Sequence, residues 1–466
     1  MVNEVTSFKK PIFFVLGATG SGKSLAAVDI ATTLKRFCGY EHVVIVNCDV
    51  MQFYVDLPIA TNKISLNEMQ GISHYFMGFL SPTGVKIRDP TVPYEGCDKK
   101  TSEVLNDSKE EGIYNIHSYV HDVVGFINEF FQHNSSAAVI VCGGTCYYVQ
   151  ALMFENVLTE EDADDSMTLD SNANSSICLE NFEGYELWKE LNKIDPSVAV
   201  RYHPNDKRRI VRLLEIYKKT GRLPSEIYAF RPSPCFRFSP MNCFVLWPRV
   251  TFEKLKLMLD ERVDKMVEKG IVKESLEFAQ QHIKGDPDTG LARAIGFKEF
   301  IPAFQEKDGM ICIKGEKELK ESIEQIKINT KRYARQQNQW ITNRFLGRFR
   351  EVFISAQGFG NFVSLDVSDT VLEFHETVKN VTLFWIMSKG ESIGNIIFPL
   401  KEPRDKMTTI KQEWCEMCGM FVSGGVQMDA HILSKRHRGA IKHAGLVKEQ
   451  LEKYGRVIPR KKPRLS

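Results

Sequence analysis

Eight residues near the N-terminus, Gly17, Ala18, Thr19, Gly20, Ser21, Gly22, Lys23 and Ser24, constrain the fold more than anything else in the chain. They satisfy the pattern Gly-x4-Gly-Lys-Ser/Thr, follow the apolar run 12–16 and precede a helix-like stretch, 24–36. In that setting backbone N–H groups and a helix N-terminus cradle phosphate oxygens. Lys23 neutralises a terminal phosphate and the Ser24 hydroxyl helps hold Mg²⁺. A merely structural glycine-rich turn is the alternative, and the strand–turn–helix context argues against it. The motif predicts a di- or triphosphate site without saying what carries the phosphates.

Three further β-branched, apolar runs, 43–46, 137–141 and 243–246, read as strands. Strands alternating with helices predict an α/β fold, a P-loop core with a parallel sheet wound by right-handed crossovers. Apolar residues at three- and four-residue spacing predict helices over 185–217 and 252–279, and a long basic helix over 317–345. Turn formers and mixed charge make 81–111 a long loop or insertion. The segment 159–183 has eight acidic residues and no Lys or Arg, which predicts a disordered insertion. With 466 residues there is room for several domains. The expected order is a first part of the core (1–154), the acidic insertion (155–184) and a helical insertion domain (185–240). Completion of the core and its helices (241–348), a linker without assigned role (349–408), a finger (409–445) and a basic tail (446–466) follow.

Two absences of pattern narrow the class. No run reaches the 18 apolar residues of a membrane span, so no membrane association is expected. The first ten residues make a poor secretory signal and an undecided transit peptide. The eleven cysteines are scattered, which suits a reducing compartment and buried packing better than a disulfide framework. The expected location is the cytoplasm, with nuclear and mitochondrial pools left open. From residue 401 onward there are fifteen Lys or Arg against seven Asp or Glu, a balance that suits nucleic acid or simply a solubilising tail.

At the end of the second strand stand Asp49, Val50, Met51, Gln52, Phe53 and Tyr54, then 57–63. The carboxyl ends of parallel strands face the ligand crevice. Asp49 therefore lies near whatever the phosphate loop holds, as a general base or as an acid that orients a metal. Gln52 offers an amide able to donate to and accept from an adenine edge, or is an ordinary surface residue. Near the C-terminus, Cys415-x2-Cys418-x12-His431-x5-His437 has the ligand types and spacing of a small Cys2His2 zinc finger, with Zn²⁺ in a structural role. The pair Cys142 and Cys146 lacks neighbouring ligands and reads as packing.

The phosphate loop, Asp49-x-x-Gln52-x-Tyr54 with Thr61-Asn62-Lys63, and Gly143-Gly144-Thr145-Cys146-Tyr147-Tyr148 resemble, in that order, the tRNA dimethylallyltransferase family (tRNA isopentenyltransferases). Blocks at 205–215, 293–300 and 330–340 continue the likeness, which covers roughly 11–346; the finger resembles the eukaryotic type. Val50 and Gln336 depart from the family's usual small residue and Arg. The resemblance implies that the loop binds dimethylallyl diphosphate. It implies that Asp49, Thr145 and Arg293 are catalytic, and that Lys23, Ser24 with Mg²⁺, Thr145 and Arg293 contact diphosphate. Asp49, Val50, Met51 and Gln52 would meet a flipped-out adenine. Lys207, Arg208, Arg209, Arg212, Lys331, Arg332 and Arg335 would meet a tRNA anticodon stem-loop, although a solvated helix face gives the same pattern. Lys435, Arg436 and Arg438 of the finger would add RNA contact, with a protein partner as the alternative. A monomer is expected.

Two other classes stay open on the residues alone. A P-loop kinase would use the loop and Asp49 but leaves Gln52, the basic helices and the finger without a task. An RNA-binding module that has lost catalysis would not need Lys23, Asp49 and Arg293 intact.

Overall fold

The structure is a computed structural model. It describes residues 10–96, 113–158, 184–230, 232–282, 290–355, 361–367 and 371–388, and in the C-terminal segment 412–415, 417–418, 420–423, 431–434, 437–439, 441–442 and 445. These fall into two compact units, one from 1–170 and 233–403, the other from 171–232 and 404–466.

The first unit is built on strands β1 (Ile12–Leu16), β2 (His42–Asn47), β3 (Ser73–Tyr75) and β4 (Ala137–Gly143). The strand pair β5 (Phe154–Glu155) and β6 (Cys235–Phe236) and then β7 (Cys243–Arg249) follow. The hairpin β8 (Phe304–Lys307) and β9 (Met310–Ile313) and then β10 (Asn361–Asp366) complete the set. The main sheet runs β10-β7-β1-β4-β2-β3, every pairing parallel. All five residues of β1 and all seven of β4 are buried. Continuous apolar strands of this kind are covered on both faces. Successive side chains alternate, so Ile12, Phe14 and Leu16 join one core and Phe13 and Val15 the other.

Helices α1 (Lys23–Phe37), α2 (Leu66–Met69), α3 (Ile116–His133) and α4 (Cys146–Met153) belong to this unit, as do α9 (Phe252–Glu268), α10 (Ile271–His282), α11 (Glu316–Trp340), α12 (Leu346–Ser355) and α13 (Val371–Met387). The single helical pattern expected over 252–279 is broken between α9 and α10, where Gly270 takes φ 97°. The strands expected at 12–16, 43–46, 137–141 and 243–246 are present, most of them longer by one to three residues. Of the acidic insertion expected over 155–184, residues 159–183 lie outside the described residues, as do 97–111 of the expected long loop; its ends need correcting, since Glu155 pairs with Cys235 in β5–β6 and Gly184 begins a helix.

The expectation of a linker over 349–408 needs correcting. Within it β10 adds a sixth strand beside β7, in register from Asn361 opposite Phe244 to Asp366 opposite Arg249. Helix α13 packs on α1, and its Trp385, fully buried, meets Phe13 at 4.9 Å and Phe244 at 5.0 Å between ring centroids. Truncating such a side chain leaves a large cavity. Trp385→Ala is therefore expected to lower stability by about 3–5 kcal/mol in urea unfolding. A variant as stable as the parent would return this segment to the status of a linker. Residues 389–408 lie outside the described set.

The second unit contains α5 (Gly184–Ile194), α6 (Pro196–Ala199), α7 (Lys207–Thr220) and α8 (Pro224–Ala229). Leu187, Leu191, Ile210, Leu213 and Leu214 form its small core. Asp195 organises the turns: its carboxylate accepts from the Ser197 hydroxyl, Ser225 N and Val198 N, and against the opposing effect of burial these bonds, Ser197 foremost, hold its pKa below the usual aspartate range. The same unit carries the hairpin β11 (Gln412–Cys415) and β12 (Met420–Ser423).

Candidate active site and metal centre

The phosphate loop occupies the turn from β1 into α1. Gly20 (φ 78°) and Gly22 (φ 87°) take left-handed backbone that a side chain would strain. Ser21 N donates to Ala18 O at 3.2 Å and Lys23 Nζ to Ala18 O at 2.7 Å. Ser21 is buried, whereas Ser24 is exposed and its hydroxyl faces solvent.

The next strand ends, after β2 and β4, close the crevice around the loop. Asp49 caps a 3-10 turn, Val50–Gln52, and accepts Met51 N at its Oδ1 (3.2 Å). Asn47, almost fully buried, fixes the Asp49 backbone on both sides. Its Oδ1 accepts Asp49 N (3.1 Å), and its Nδ2 donates to Asp49 O (3.2 Å) and to Phe76 O (3.0 Å). Oδ2 of Asp49 points to the glycine turn after β4. A Cβ on Gly144 would stand 3.1 Å from Asp49 Oδ2, 3.8 Å from Lys23 Nζ and 2.7 Å from Gln337 Nε2. A Cβ on Gly143 would collide with the Cys48 backbone. Close approach to the Cys48 backbone requires glycine at 143, and at 144 three side chains from distant segments converge on one point. Thr145 follows directly. Its Oγ1 accepts Val50 N at 3.1 Å, which leaves its own O–H to donate.

Lys23, Asp49 and Arg262 each keep some solvent contact while protein surrounds them on nearly every side, the environment of a crevice floor. Burial raises the Asp49 pKa above the ordinary aspartate range; the Lys23 ammonium and the Arg262 guanidinium pull the other way. Burial likewise lowers the Lys23 pKa, partly offset by Asp49. Cys142 and Cys146 line the same region, their thiols pushed up to about 12 by burial, so they are inert packing.

Arg262, on α9, was not singled out from the sequence, because one Arg among the many charges of that helix has no distinguishing spacing. Gln337 and Asn47 were missed for the same reason. Arg293, expected at the diphosphate, is close enough to Tyr54 to act on it electrostatically, against the burial that raises the Tyr54 pKa. Arg262 acts electrostatically on both Asp49 and Lys23, and Lys63 acts on Asp49 as well.

Gln52 also behaves differently from the expectation of a two-way amide. Its Nε2 donates to Thr61 O (3.2 Å) and Asn62 O (3.0 Å), so its amide hydrogens are engaged and Oε1 remains as an acceptor. Glu274 of α10 holds the loop that receives this amide, accepting Ile59 N (2.7 Å) and Ala60 N (2.9 Å). The backbone N–H groups of Val50 and Met51 are both engaged, by Thr145 Oγ1 and by Asp49 Oδ1, so neither is left to donate to a ligand.

Among the basic residues, Lys331 is tied to Asp260 of α9, with Nζ 2.7 and 3.0 Å from its two oxygens. Its charge is answered inside the protein. Arg332 and Arg335 on the same helix are exposed, and Arg335 lies over the Phe252 ring at 4.5 Å. In the second unit, Arg208 and Arg209 are exposed and Lys207 and Arg212 half-buried. Arg209 pairs with Asp206 (2.8 Å) and Arg212 with Glu215 (3.4 Å).

Cys415, Cys418, His431 and His437 form a separate cluster whose ligand atoms all lie within 4.8 Å of one another. Cys415 Sγ and His431 Nε2 are each 3.3 Å from His437 Nδ1, and Cys418 Sγ is 3.5 Å from it. Ligands at about 2.0–2.3 Å from a central Zn²⁺ stand about 3.3–3.8 Å apart in a tetrahedron, so the donor set fits a closed zinc site. Lys435, Arg436 and 446–466 are outside the described residues; Arg438 is exposed.

Known proteins resemble this chain over most of its length. The family model described as IPP transferase matches residues 105–344. A curated protein of Saccharomyces cerevisiae, "tRNA dimethylallyltransferase", is 32% identical over 464 residues, covering 94% of this chain and 93% of its own length. The protein of the same name from Homo sapiens is 29% identical, over 93% of this chain and 86% of its own length. Among solved structures, one described as eukaryotic dimethylallyltransferase acting on tRNA superposes with a TM-score of 0.63 at 26% identity, covering 96% of this chain and all of that one. A phosphate loop facing an aspartate across a glycine turn, a finger of this donor set and relatives spanning almost the whole length lead to one assignment: the chain belongs to the IPP transferase family, alongside the tRNA dimethylallyltransferases.

Proposed function

We propose that the chain transfers the dimethylallyl group of dimethylallyl diphosphate to the exocyclic N6 amine of the adenosine 3′-adjacent to a tRNA anticodon, releasing diphosphate. The observation that carries this reading is the convergence of Lys23 and Asp49 on Gly144 at the carboxyl end of the sheet. A cation for a leaving diphosphate and a carboxylate for a departing proton then face one small space. The amine lone pair forms the new N–C bond as the allylic C–O bond breaks, and the electron pair leaves with diphosphate. Asp49 Oδ2 takes the proton from the amine, and its raised pKa makes it a better base than an ordinary carboxylate. Negative charge develops on the diphosphate, so fixed donors there give the largest benefit. The loop amides other than those of Thr19 and Ser21, with Lys23, Arg262, Arg293 and the Thr145 hydroxyl, would supply them.

Mg²⁺ would neutralise the diphosphate when bound. The exposed Ser24 hydroxyl suits a hard cation that keeps much of its water. Gln52 Oε1 would accept from an N–H of the bound base, and Asp49, Val50 and Met51 would line the same pocket. Arg208, Arg209, Arg332 and Arg335 would meet RNA phosphates, with Lys207 and Arg212 at the margin. Lys331 contributes by bracing α11 on α9. The helices 185–240 act as the tRNA-binding insertion and the finger adds RNA contact through Arg438. We take the working form to be a monomer in the cytoplasm; the basic run 460–464 is what supports a nuclear pool.

The test is a radiolabel transfer assay with dimethylallyl diphosphate, Mg²⁺ and unmodified tRNA. Label should enter RNA and vanish when the adenosine beside the anticodon is changed. ATP consumption with no label in RNA would replace this reading with a kinase.

A further inference from the structure

The donor site is closed on one side by a carboxamide from far along the chain. We propose that Gln337 is a positioning residue that locks the phosphate loop to the turn carrying Thr145. The inference rests on the loop being the diphosphate site. Gln337 lies on the inner face of α11 and is 5% exposed. Its Oε1 accepts Thr19 N at 2.7 Å, and its Nε2 donates to Gly144 O at 2.8 Å. One buried amide thus spans two strand-end turns, those after β1 and β4, which neighbour each other in the sheet.

Two consequences follow for the chemistry. Thr19 N is a phosphate-loop amide, yet it is engaged by protein, so the loop holds its shape before any donor arrives and the phosphates must use the other amides. Lys23 rides on the loop and Thr145 on the turn, and both have to meet one diphosphate. A shift of about 1 Å between such groups costs on the order of a hundredfold in rate. The glycine at 144 fits this role, since any Cβ there would press on Gln337 Nε2. A carboxamide is the side chain that can accept from Thr19 and donate to Gly144 together. An ionised carboxylate could only accept, and it would bring a negative charge close to where the diphosphate binds.

The experiment compares full-length parent, Q337L and Q337E for binding of dimethylallyl diphosphate without tRNA, by calorimetry from pH 5.5 to 8.5, with melting temperature as the control for folding. Losing a buried hydrogen bond and stranding its partner should weaken binding about tenfold to a hundredfold at pH 8 in both variants. As the pH falls, the carboxyl introduced by Q337E takes up a proton and can donate to Gly144 again. Its affinity should then recover relative to the parent, whereas that of Q337L should not. Equal donor affinity in all three proteins overturns the inference, and so does a loss of the same size and pH dependence in both variants that tracks their melting temperatures. A parent that binds no donor removes the loop reading and this inference with it. A parent that binds donor yet labels no RNA sinks the proposed reaction alone and leaves Gln337 in place.

Discussion

Asp49→Ala is expected to lower dimethylallyl transfer by about 10²–10⁴-fold while tRNA binding stays within a few-fold of the parent. The substitution deletes Oδ2, the proposed proton acceptor, and the cap that Oδ1 gives to Met51 N, while the basic residues proposed to meet RNA phosphates stay in place. Single-turnover labelling and a filter-binding measurement on the same preparations separate the two effects. Near-parental transfer by the variant would strip Asp49 of the role of base. The pH profile offers a second check. As the proposed base, Asp49 would act only when ionised, and burial places its pKa above the ordinary aspartate range. The acid limb of kcat/KM should therefore fall away at a higher pH than for an exposed aspartate. Lys23 acts only when protonated, and burial lowers its pKa, so donor binding should weaken on the alkaline side before an exposed lysine would titrate. The two shifts narrow the working range from both ends.

The second large effect concerns the finger. The four ligand atoms of Cys415, Cys418, His431 and His437 gather around one point. In zinc fingers metal binding supplies most of the folding free energy, on the order of 10–16 kcal/mol. Cys415→Ala, or zinc removal by chelation, should melt 409–445 locally and weaken tRNA binding about tenfold. Transfer on saturating tRNA should persist, because Lys23 and Asp49 sit in the other compact unit. Abolished transfer at saturation would mean that the finger takes part in more than RNA capture.

The parts of the molecule legible in the sequence are those whose signal is local. Strands β1, β4 and β7 are unbroken apolar runs, and a buried parallel strand has no other way to look. The phosphate loop and the Cys2His2 spacing are short motifs whose residues lie close in the chain. Strand β3 escaped because three residues, Ser73–Tyr75, carry no periodicity. Strand β10 escaped because Asn361, Ser364 and Asp366 interrupt its apolar residues. Within the site, Asp49 was readable from its position after a strand, and Thr145 only through the family resemblance. Gln337 stood inside a quoted block without any visible task, since the groups it joins are Thr19, 318 positions away, and Gly144, 193 away. The engaged amide of Gln52 belongs to the same class: only the folded loop shows that Thr61 and Asn62 already occupy it.

Strand β10 and helix α13 also decide what an interrupted message produces. Every side chain assigned to the donor site lies at or before residue 337, yet the sheet that presents them is finished only when 361–388 has been made. A ribosome adding about 5–20 residues per second leaves that interval open for seconds, with the edge of β7 uncovered. A chain ended by a premature stop between α12 and β10 would carry the whole chemical apparatus and no lasting fold. Its open edge would invite strand pairing with other chains, so such an allele should leave aggregated or degraded protein where a shortened enzyme might be looked for.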